Sequence, residues 1–248
     1  MCEQVTYKLV VSYDGTNYNG WQTQADGPTV QAVIESLLDK VFKEKVNLRY
    51  PSRTDSGVHA FGQVVSFTCR SEFSAERMLK ILNSQLPSDI TIKSSEIVSN
   101  DFDAKKASKK RYSYHISTTP TRSPFYINRV WWIKYKMDIG VLKEALAIFV
   151  GEKDFRAFMG AGSDAKTTIR NIYSITVLEQ NDEFKIVFEG NGFLKHMIRN
   201  IVGTAVEAAI GRYDVEDVKK MLESKDRRTA GITAPAYALY LEEIYYDE

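Results

Sequence analysis

Residues 5–13 read VTYKLVVSY and residues 29–42 read TVQAVIESLLDKVF, and these two runs establish the architecture of the first half of the chain. The first run is rich in β-branched and aromatic residues, which predicts a strand. The second begins at Thr29, a residue type that caps helices, and its apolar residues follow at helical spacing. The chain is therefore expected to open with a strand, a long loop rich in turn residues, and an amphipathic helix.

The remaining periodicities extend this opening into an α+β fold. A strand at 62–69, a helix at 74–86 and a strand at 89–97 complete the order of a split β-α-β unit with an antiparallel sheet. The second half repeats that order loosely. Strands are predicted at 110–117, 130–135, 171–178, 184–190 and 238–245, helices at 138–150, 193–210 and 215–223, and a loop at 151–168.

Two domains are expected from the polar and charged run SNDFDAKKASKK, residues 99–110, which is typical of a boundary. We place an N-terminal half at residues 1–104 and a C-terminal half at 105–248. No residue-level repeat relates the two halves.

Composition restricts the class of protein. The 248 residues carry 33 Lys and Arg against 32 Asp and Glu, a formal net charge of +1, which taken alone argues against a strongly basic nucleic-acid binder. Two cysteines, Cys2 and Cys69, allow no disulfide framework and favour a cytoplasmic setting. Three scattered histidines and no CxxC make a metal site unexpected. The sequence shows no signal peptide, membrane span or phosphate-binding Gly-rich loop.

The loop PSRTDSGVHA, residues 51–60, carries more reactive side chains than a turn needs. Loops held by rigid elements commonly carry function, which makes this loop a candidate functional segment. On pattern alone, a solvated turn capped by Asp55 is the favoured explanation of the run. A hydrolase that uses Ser56 and His59 is a third hypothesis, but TDSGV lacks the G-x-S-x-G nucleophile elbow.

Two further segments concentrate positive charge. Residues 105–111, KKASKKR, hold five cations and lead into Tyr112 and Tyr114 on one predicted strand face, a pattern suited to phosphates and a stacked base. A solvated linker before an ordinary strand is the equal alternative. In GNGFLKHMIRNIVG, residues 190–203, Lys195 and Arg199 are four apart and are expected to share a face near a helix start. A plain surface pair is the simpler explanation.

Taken together and in order, these segments resemble the tRNA pseudouridine synthase A family. The resemblance rests on YDGTNYNGWQTQ, RTDSGVHA, GQVVSF, KKRYSYHI, HMIRNIVG and TAPAYALYL, and it extends over nearly the whole chain. It implies two ferredoxin-like halves around a largely antiparallel sheet with helices outside. It also implies an isomerase that converts uridine to pseudouridine at positions 38–40 of the tRNA anticodon stem-loop, without metal or cofactor, as a cytoplasmic homodimer.

The same resemblance assigns roles to individual residues. It implies that Asp55 acts on a flipped-out uridine, that Arg199 is the basic partner of Asp55, and that Tyr112 stacks on the target base. Arg53 is implicated in displacing that base from the stem. The side chains expected to bind substrate are Arg53, Lys105, Lys109, Lys110, Arg111, Arg170 and Lys195. The alternative function is a catalytically silent RNA-binding module of the same fold.

Three departures from the family pattern leave the catalytic groups in place. Ser52 stands where Gly is usual before Arg-Thr-Asp, which would add strain if that backbone needed a positive φ. The segment 105–108 is one residue shorter than usual, and Ala238 replaces a usual Gly. The near-zero net charge also conceals local basic segments, so salt-sensitive tRNA binding is still expected.

Overall fold

A computed structural model describes residues 3–247, so Cys2 lies outside the described residues. The chain divides into two compact units. Unit 1 extends to Ser108 and resumes at Tyr240, and unit 2 is Lys109–Leu239. The domain boundary between 104 and 105 stays a prediction, and the division into compact units places residues 105–108 and the chain from Tyr240 onward in unit 1.

The described residues form nine strands and five α-helices. The strands are β1 (Gln4–Tyr13), β2 (His59–Arg70), β3 (Ile90–Val98), β4 (Lys109–Ser117), β5 (Trp131–Trp132), β6 (Gly151–Asp154), β7 (Ile169–Gln180), β8 (Glu183–Gly190) and β9 (Leu239–Tyr245). The helices are α1 (Val30–Phe42), α2 (Ala75–Asn83), α3 (Ile139–Ala147), α4 (Met197–Ala209) and α5 (Val215–Ser224). The α+β prediction is confirmed.

Unit 1 is built on an antiparallel sheet in which β1 lies between β2 and β3. The last strand joins beside β2 in parallel, with His59 opposite Tyr240. Thr29 caps α1 as predicted, because its side chain accepts a hydrogen bond from the backbone N–H of Ala32. The buried face of α1 includes Val30, Ile34, Leu37 and Leu38.

Unit 2 has an antiparallel order β4-β8-β7-β6, with the short β5 parallel to β4. Asn181 and Asp182 join β7 to β8, and both have positive φ, 50° and 61°. That geometry suits a two-residue hairpin, which favours residues such as Asn and Asp. Helices α3, α4 and α5 pack against one another, and α4 is buried along nearly its whole length.

Two element predictions were wrong, for identifiable reasons. Residues 151–154 form strand β6 and not a loop, because GEKD has no apolar alternation and is held by pairing with β7. Helix α4 begins at Met197 and not at 193, because His196 takes the left-handed conformation with φ 59°. No helix within residues 3–247 is long and apolar enough to cross a membrane.

Candidate active site

Asp55 lies in the loop between α1 and β2, where its side chain is half-buried. The turn that follows it depends on Gly57, whose φ is +78°. The N–H of Val58 donates to the Asp55 carbonyl oxygen at 3.1 Å. The backbone on either side of the carboxylate is therefore fixed before any side-chain contact is considered.

A second loop, residues 14–21, is joined to this turn by hydrogen bonds of its main chain. The N–H of Trp21 donates to the Thr54 carbonyl at 3.1 Å, just before Asp55. Just after it, the N–H of Gly57 and the hydroxyl of Ser56 both donate to the Tyr18 carbonyl, at 3.3 and 3.2 Å. Asp55 is thus held between two points of attachment.

Two glycines allow the loops to approach this closely. A Cβ on Gly15 would lie 2.0 Å from the carbonyl oxygen of Val58, which no side chain tolerates. Gly20 has φ +86°, and a Cβ there would lie 2.6 Å from the Thr54 carbonyl oxygen. The run DGTNYNGW therefore has a local physical role, which is to let backbone pack on backbone beside Asp55.

Side chains buried under the loop complete the support. The hydroxyls of Tyr13 and Thr54 share a hydrogen bond of 2.8 Å, and both residues are buried. Gln63 donates to the Ser52 carbonyl at 2.8 Å. Ser52 is not among the described non-glycine residues with positive φ, so serine adds no strain at that position.

His59 has a structural role in the same loop pair. The buried imidazole accepts the N–H of Gly15 at Nδ1, at 3.1 Å. The same Nδ1 lies 3.1 Å from a carboxylate oxygen of Asp14. Since the hydroxyl of Ser56 also bonds to the opposing loop, both residues of the hydrolase hypothesis serve to anchor the turn.

Arg53 is exposed at the edge of this loop and contacts Tyr50. Burial raises the pKa of the Tyr50 hydroxyl, and the hydrogen bond and charge of Arg53 partly oppose that rise. The Tyr50 ring meets Trp21 edge-on, with centroids 5.4 Å apart. This aromatic support was not identified from the sequence, although YPSRTD places Tyr50 three residues before Arg53.

In unit 2, Tyr112 lies on β4 with its ring buried. The ring meets Phe193 edge-on, with centroids 5.3 Å apart and an interplanar angle of 80°. Phe193 fits there because the neighbouring residue is Gly190, whose added Cβ would lie 3.2 Å from the Phe193 ring. Phe193 was missed as a partner of Tyr112 because only the pairing of β4 with β8 brings the segments together.

Two of the predicted RNA-contacting cations bind a common acid. Arg111 Nε lies 2.7 Å from Glu189 Oε1, and Lys109 Nζ lies 3.4 Å from Glu189 Oε2. Burial raises the pKa of Glu189, but Arg111 and Lys109 outweigh that effect and hold the pKa below its usual range. The charge of this strand is therefore partly balanced within unit 2.

Lys110, on the opposite face of β4, has a different environment. Desolvation lowers the pKa of its ammonium group to about 8, and the nearby positive charge of Arg170 contributes to that decrease. Arg170 itself donates from Nη1 to the carbonyls of Thr167 and Ile169, at 2.9 and 2.6 Å. The two cations form a like-charged pair beside the strand that carries Tyr112.

Lys105 and Lys195 stand apart from that pair. Lys105 lies in a short 3-10 turn of unit 1, where it is exposed and its N–H donates to Asp103. Lys195 precedes α4, and its Nζ donates to the Ala161 carbonyl at 3.0 Å. The prediction that Lys195 and Arg199 share a face at a helix start was wrong, because the helix begins only at Met197.

Arg199 lies in the first turn of α4 and is held by the chain before β9. Its Nε donates to the Ala234 carbonyl at 2.8 Å, and its own carbonyl accepts the N–H of Ala234 at 3.0 Å. The neighbouring Tyr114 is buried and donates to the Pro235 carbonyl at 2.8 Å. Burial raises the pKa of Tyr114 well above its ordinary value, and the charge of Arg199 opposes that rise.

Within residues 3–247, no cluster of three or more His, Cys, Asp or Glu side chains could hold a metal ion. Unit 1 supplies a half-buried carboxylate at Asp55, and unit 2 supplies the aromatic ring of Tyr112 and several cations. These residue types are suited to anionic, base-bearing substrates.

Comparison with known proteins assigns the chain to a family. The sequence profile of the tRNA pseudouridine synthase family matches residues 9–105 and 145–247. The chain belongs to that family, a class of enzymes that form pseudouridine. The matched ranges include the Asp55 loop and the Arg199 helix, while the strand with Tyr112 lies between them.

Three relatives match over nearly the full length of the chain. A protein of Lacticaseibacillus casei named tRNA pseudouridine synthase A is 44% identical over 246 residues, covering 97% of this chain and 99% of its own. A protein of the same name from Acetivibrio thermocellus is 42% identical over 240 residues, covering 96% and 98%. A Clostridium tetani protein named tRNA pseudouridine synthase A 2 is 41% identical, covering 97% and 98%.

Proposed function

We propose that this chain isomerises uridine to pseudouridine in the anticodon arm of tRNA, at positions 38–40, with Asp55 as the essential carboxylate. Membership of the pseudouridine synthase family supports the reaction. The observation that carries the choice of residue is the double attachment of the Asp55 loop, by Trp21 to Thr54 on one side and by Tyr18 to Gly57 on the other. Because the backbone on both sides of Asp55 is fixed in this way, the residue is preorganised for chemistry.

The reaction is balanced without any other reactant. The bond between N1 of uracil and C1′ of the ribose breaks, the base rotates, and a bond forms between C5 and C1′. The hydrogen on C5 is lost as a proton, and N1 gains a proton. Asp55 serves as the nucleophile or base in this sequence.

Tyr112, Arg199 and Arg53 complete the proposed machinery. Tyr112, whose ring contacts Phe193 edge-on, is proposed to stack on the target base. Arg199 is proposed as the basic residue of the reaction. A base-paired uridine cannot react inside its helix, so Arg53, exposed beside the loop, helps to displace it.

The remaining predicted cations are proposed to bind tRNA phosphates. Lys110 and Arg170 are the strongest candidates, because they lie close together and a bound phosphate would reduce the repulsion between their positive charges. Lys105 and Lys195 would contribute weaker contacts, and Lys109 and Arg111 share their charge with Glu189. We further propose that the enzyme is a cytoplasmic homodimer, which rests on the family resemblance.

Substitution of Asp55 by asparagine tests the proposal. We expect D55N to lose pseudouridine formation in an unmodified tRNA transcript by roughly 10⁴-fold or more, while tRNA affinity stays within about threefold. D26N is the matched control, because Asp26 is an exposed carboxylate in the preceding loop. Full activity in D55N would overturn the proposed role.

The same assay separates the enzyme from a silent RNA-binding module. A wild-type protein that binds tRNA but forms no pseudouridine at any anticodon-arm uridine would support the silent module. Binding should weaken between low and moderate salt in either case, since both functions depend on phosphate contacts.

A further inference from the structure

The segment from Ala230 to Pro235, called here the 230–235 segment, packs directly on α4. Gly203 faces it without a side chain, and a Cβ at that position would lie 1.9 Å from the carbonyl oxygen of Ile232. Ala234 exchanges two hydrogen bonds with Arg199, one through each main-chain group. The orientation of the Arg199 guanidinium therefore depends on where this segment lies.

Arg227 ties the same segment to the helix. Its Nη1 donates to the carbonyls of Ala230 and Gly231, at 3.2 and 3.0 Å. Its Nη2 donates to the side-chain oxygens of Asn200 and Thr233, at 3.1 and 3.0 Å. A planar guanidinium that makes four hydrogen bonds on two sides fixes the geometry of everything it contacts.

Asn200 links this fork to Arg199, because it is the next residue of α4. Its side chain is fully buried, donates to the Phe158 carbonyl at 2.8 Å, and accepts the Thr233 hydroxyl at 2.7 Å. Arg227 therefore reaches Arg199 by two routes. One passes along the helix through Asn200, and the other along the 230–235 segment through Thr233 to Ala234.

We infer that Arg227 is a positioning residue for Arg199, and that its guanidinium fixes the 230–235 segment so that the Ala234 carbonyl can orient Arg199 for the reaction. This inference rests on the proposed role of Arg199 in catalysis. Arg227 does not act on the substrate itself. Its loss would misplace Arg199 and lower turnover, because misplacement by about 1 Å can cost roughly 100-fold in rate.

The adjacent Arg228 provides a matched control. Its side chain is 89% exposed and its guanidinium binds the carboxylate of Asp226, two residues away. Replacing Arg227 or Arg228 by methionine removes the same charge from neighbouring positions. Only R227M also removes the four hydrogen bonds around the 230–235 segment.

The first experiment measures kcat and KM for pseudouridine formation in an unmodified tRNA transcript. We expect R227M to lower kcat by roughly 10- to 100-fold with KM within about threefold, while R228M keeps the wild-type kcat. R227K should remain impaired, because lysine restores the charge without the planar fork. A wild-type kcat in R227M, with or without a lower thermal midpoint, would overturn the inference.

A double-mutant cycle with R199Q separates positioning from a general structural role. If Arg227 acts through Arg199, R227M should lower kcat little further in an R199Q background. Additive losses would overturn the inference. An R199Q variant with full activity would overturn it too, and would refute the proposed role of Arg199 while the wild-type enzyme still forms pseudouridine.

A milder variant keeps the test decisive if R227M fails to fold. T233V preserves side-chain shape and removes the hydroxyl that joins Arg227 to Asn200. We expect a smaller drop in kcat, roughly threefold to tenfold, that again disappears in the R199Q background. An unchanged kcat in a folded T233V protein would contradict the inference.

Discussion

The Asp55 loop in unit 1 and the Arg199 region in unit 2 hold their functional side chains by different means. Around Asp55, main-chain hydrogen bonds join two loops, and glycines make room for them. Around Arg199 a side-chain fork from Arg227 sets the position of a backbone carbonyl. The first region should therefore fail when a Cβ is added at Gly15 or Gly20, and the second should fail when the Arg227 guanidinium is removed.

Adding one methyl group at Gly15 is the strongest test of this contrast. We expect G15A to destabilise the fold by roughly 1–3 kcal/mol or more, because its Cβ would lie 2.0 Å from the Val58 carbonyl oxygen and backbone cannot move aside cheaply. Displacing Val58 also moves the turn after Asp55, so turnover should fall by about 100-fold. Denaturant unfolding and single-turnover kinetics measure the two effects.

G140A is the control for that substitution. Gly140 lies in the first turn of α3, where a Cβ would meet only the side-chain oxygen of Asp138, at 3.2 Å. Alanine is a better helix former than glycine, so stability should stay equal or rise by up to about 1 kcal/mol. Comparable losses in G15A and G140A would show that close backbone approach does not hold the Asp55 loop.

The sequence predicts unit 1 better than it predicts the supports of the site. Thr29 and the helical spacing after it place α1 correctly, since a cap and an apolar stripe are local signals. The strand at 151–154 escapes detection because its pairing with β7 is not encoded in its own residues. Asp55 stands out by its motif, whereas its hold by Trp21 and Tyr18 is a tertiary contact between segments far apart in the sequence.

The start of α4 shows the same limit at a functional residue. Spacing in FLKHMIRNIV predicts one helix that includes both Lys195 and Arg199, but His196 adopts a left-handed conformation and delays the helix. A backbone conformation that is unfavourable for a non-glycine residue cannot be detected from the spacing of apolar residues. Phe193 and Ala234, which contact Tyr112 and Arg199, become visible only once strand pairing and helix packing are known.

Removing the hydroxyl of Tyr112 tests a second residue of unit 2, and the expected loss of turnover is of intermediate size. Y112F keeps the ring and its edge-on contact with Phe193, so tRNA binding and stacking should persist. Turnover should fall by roughly tenfold to 100-fold if the hydroxyl takes part in proton transfer or orients the base. Y173F, at an exposed tyrosine of β7, should behave as wild type. Undiminished kcat in Y112F would show that only the ring is needed.

The smallest expected effect concerns Lys110 and the pH dependence of tRNA binding. Its pKa of about 8 in the folded protein lies below the ordinary 10.5, because burial and Arg170 disfavour the charged form. By linkage, the charged form of Lys110 destabilises the folded state by its full amount below pH 8. This destabilisation decreases as pH rises from 8 toward 10.5. A bound phosphate would favour the charged form, so binding should take up a proton above pH 8.

Affinity for tRNA should therefore weaken between about pH 7 and pH 9 by roughly threefold to tenfold more in the wild type than in K110R. Arginine keeps its charge throughout this range. K110R therefore removes the contribution of residue 110 to the pH dependence of binding and leaves the contributions of other residues in place. Equilibrium binding of an unmodified transcript at constant ionic strength measures the difference. K105R is the control, since Lys105 is exposed in unit 1 and conservative replacement there should leave the pH dependence intact. Equal pH dependence in wild type and K110R would place the phosphate contact elsewhere and leave the like-charged pair of Lys110 and Arg170 without a role in binding.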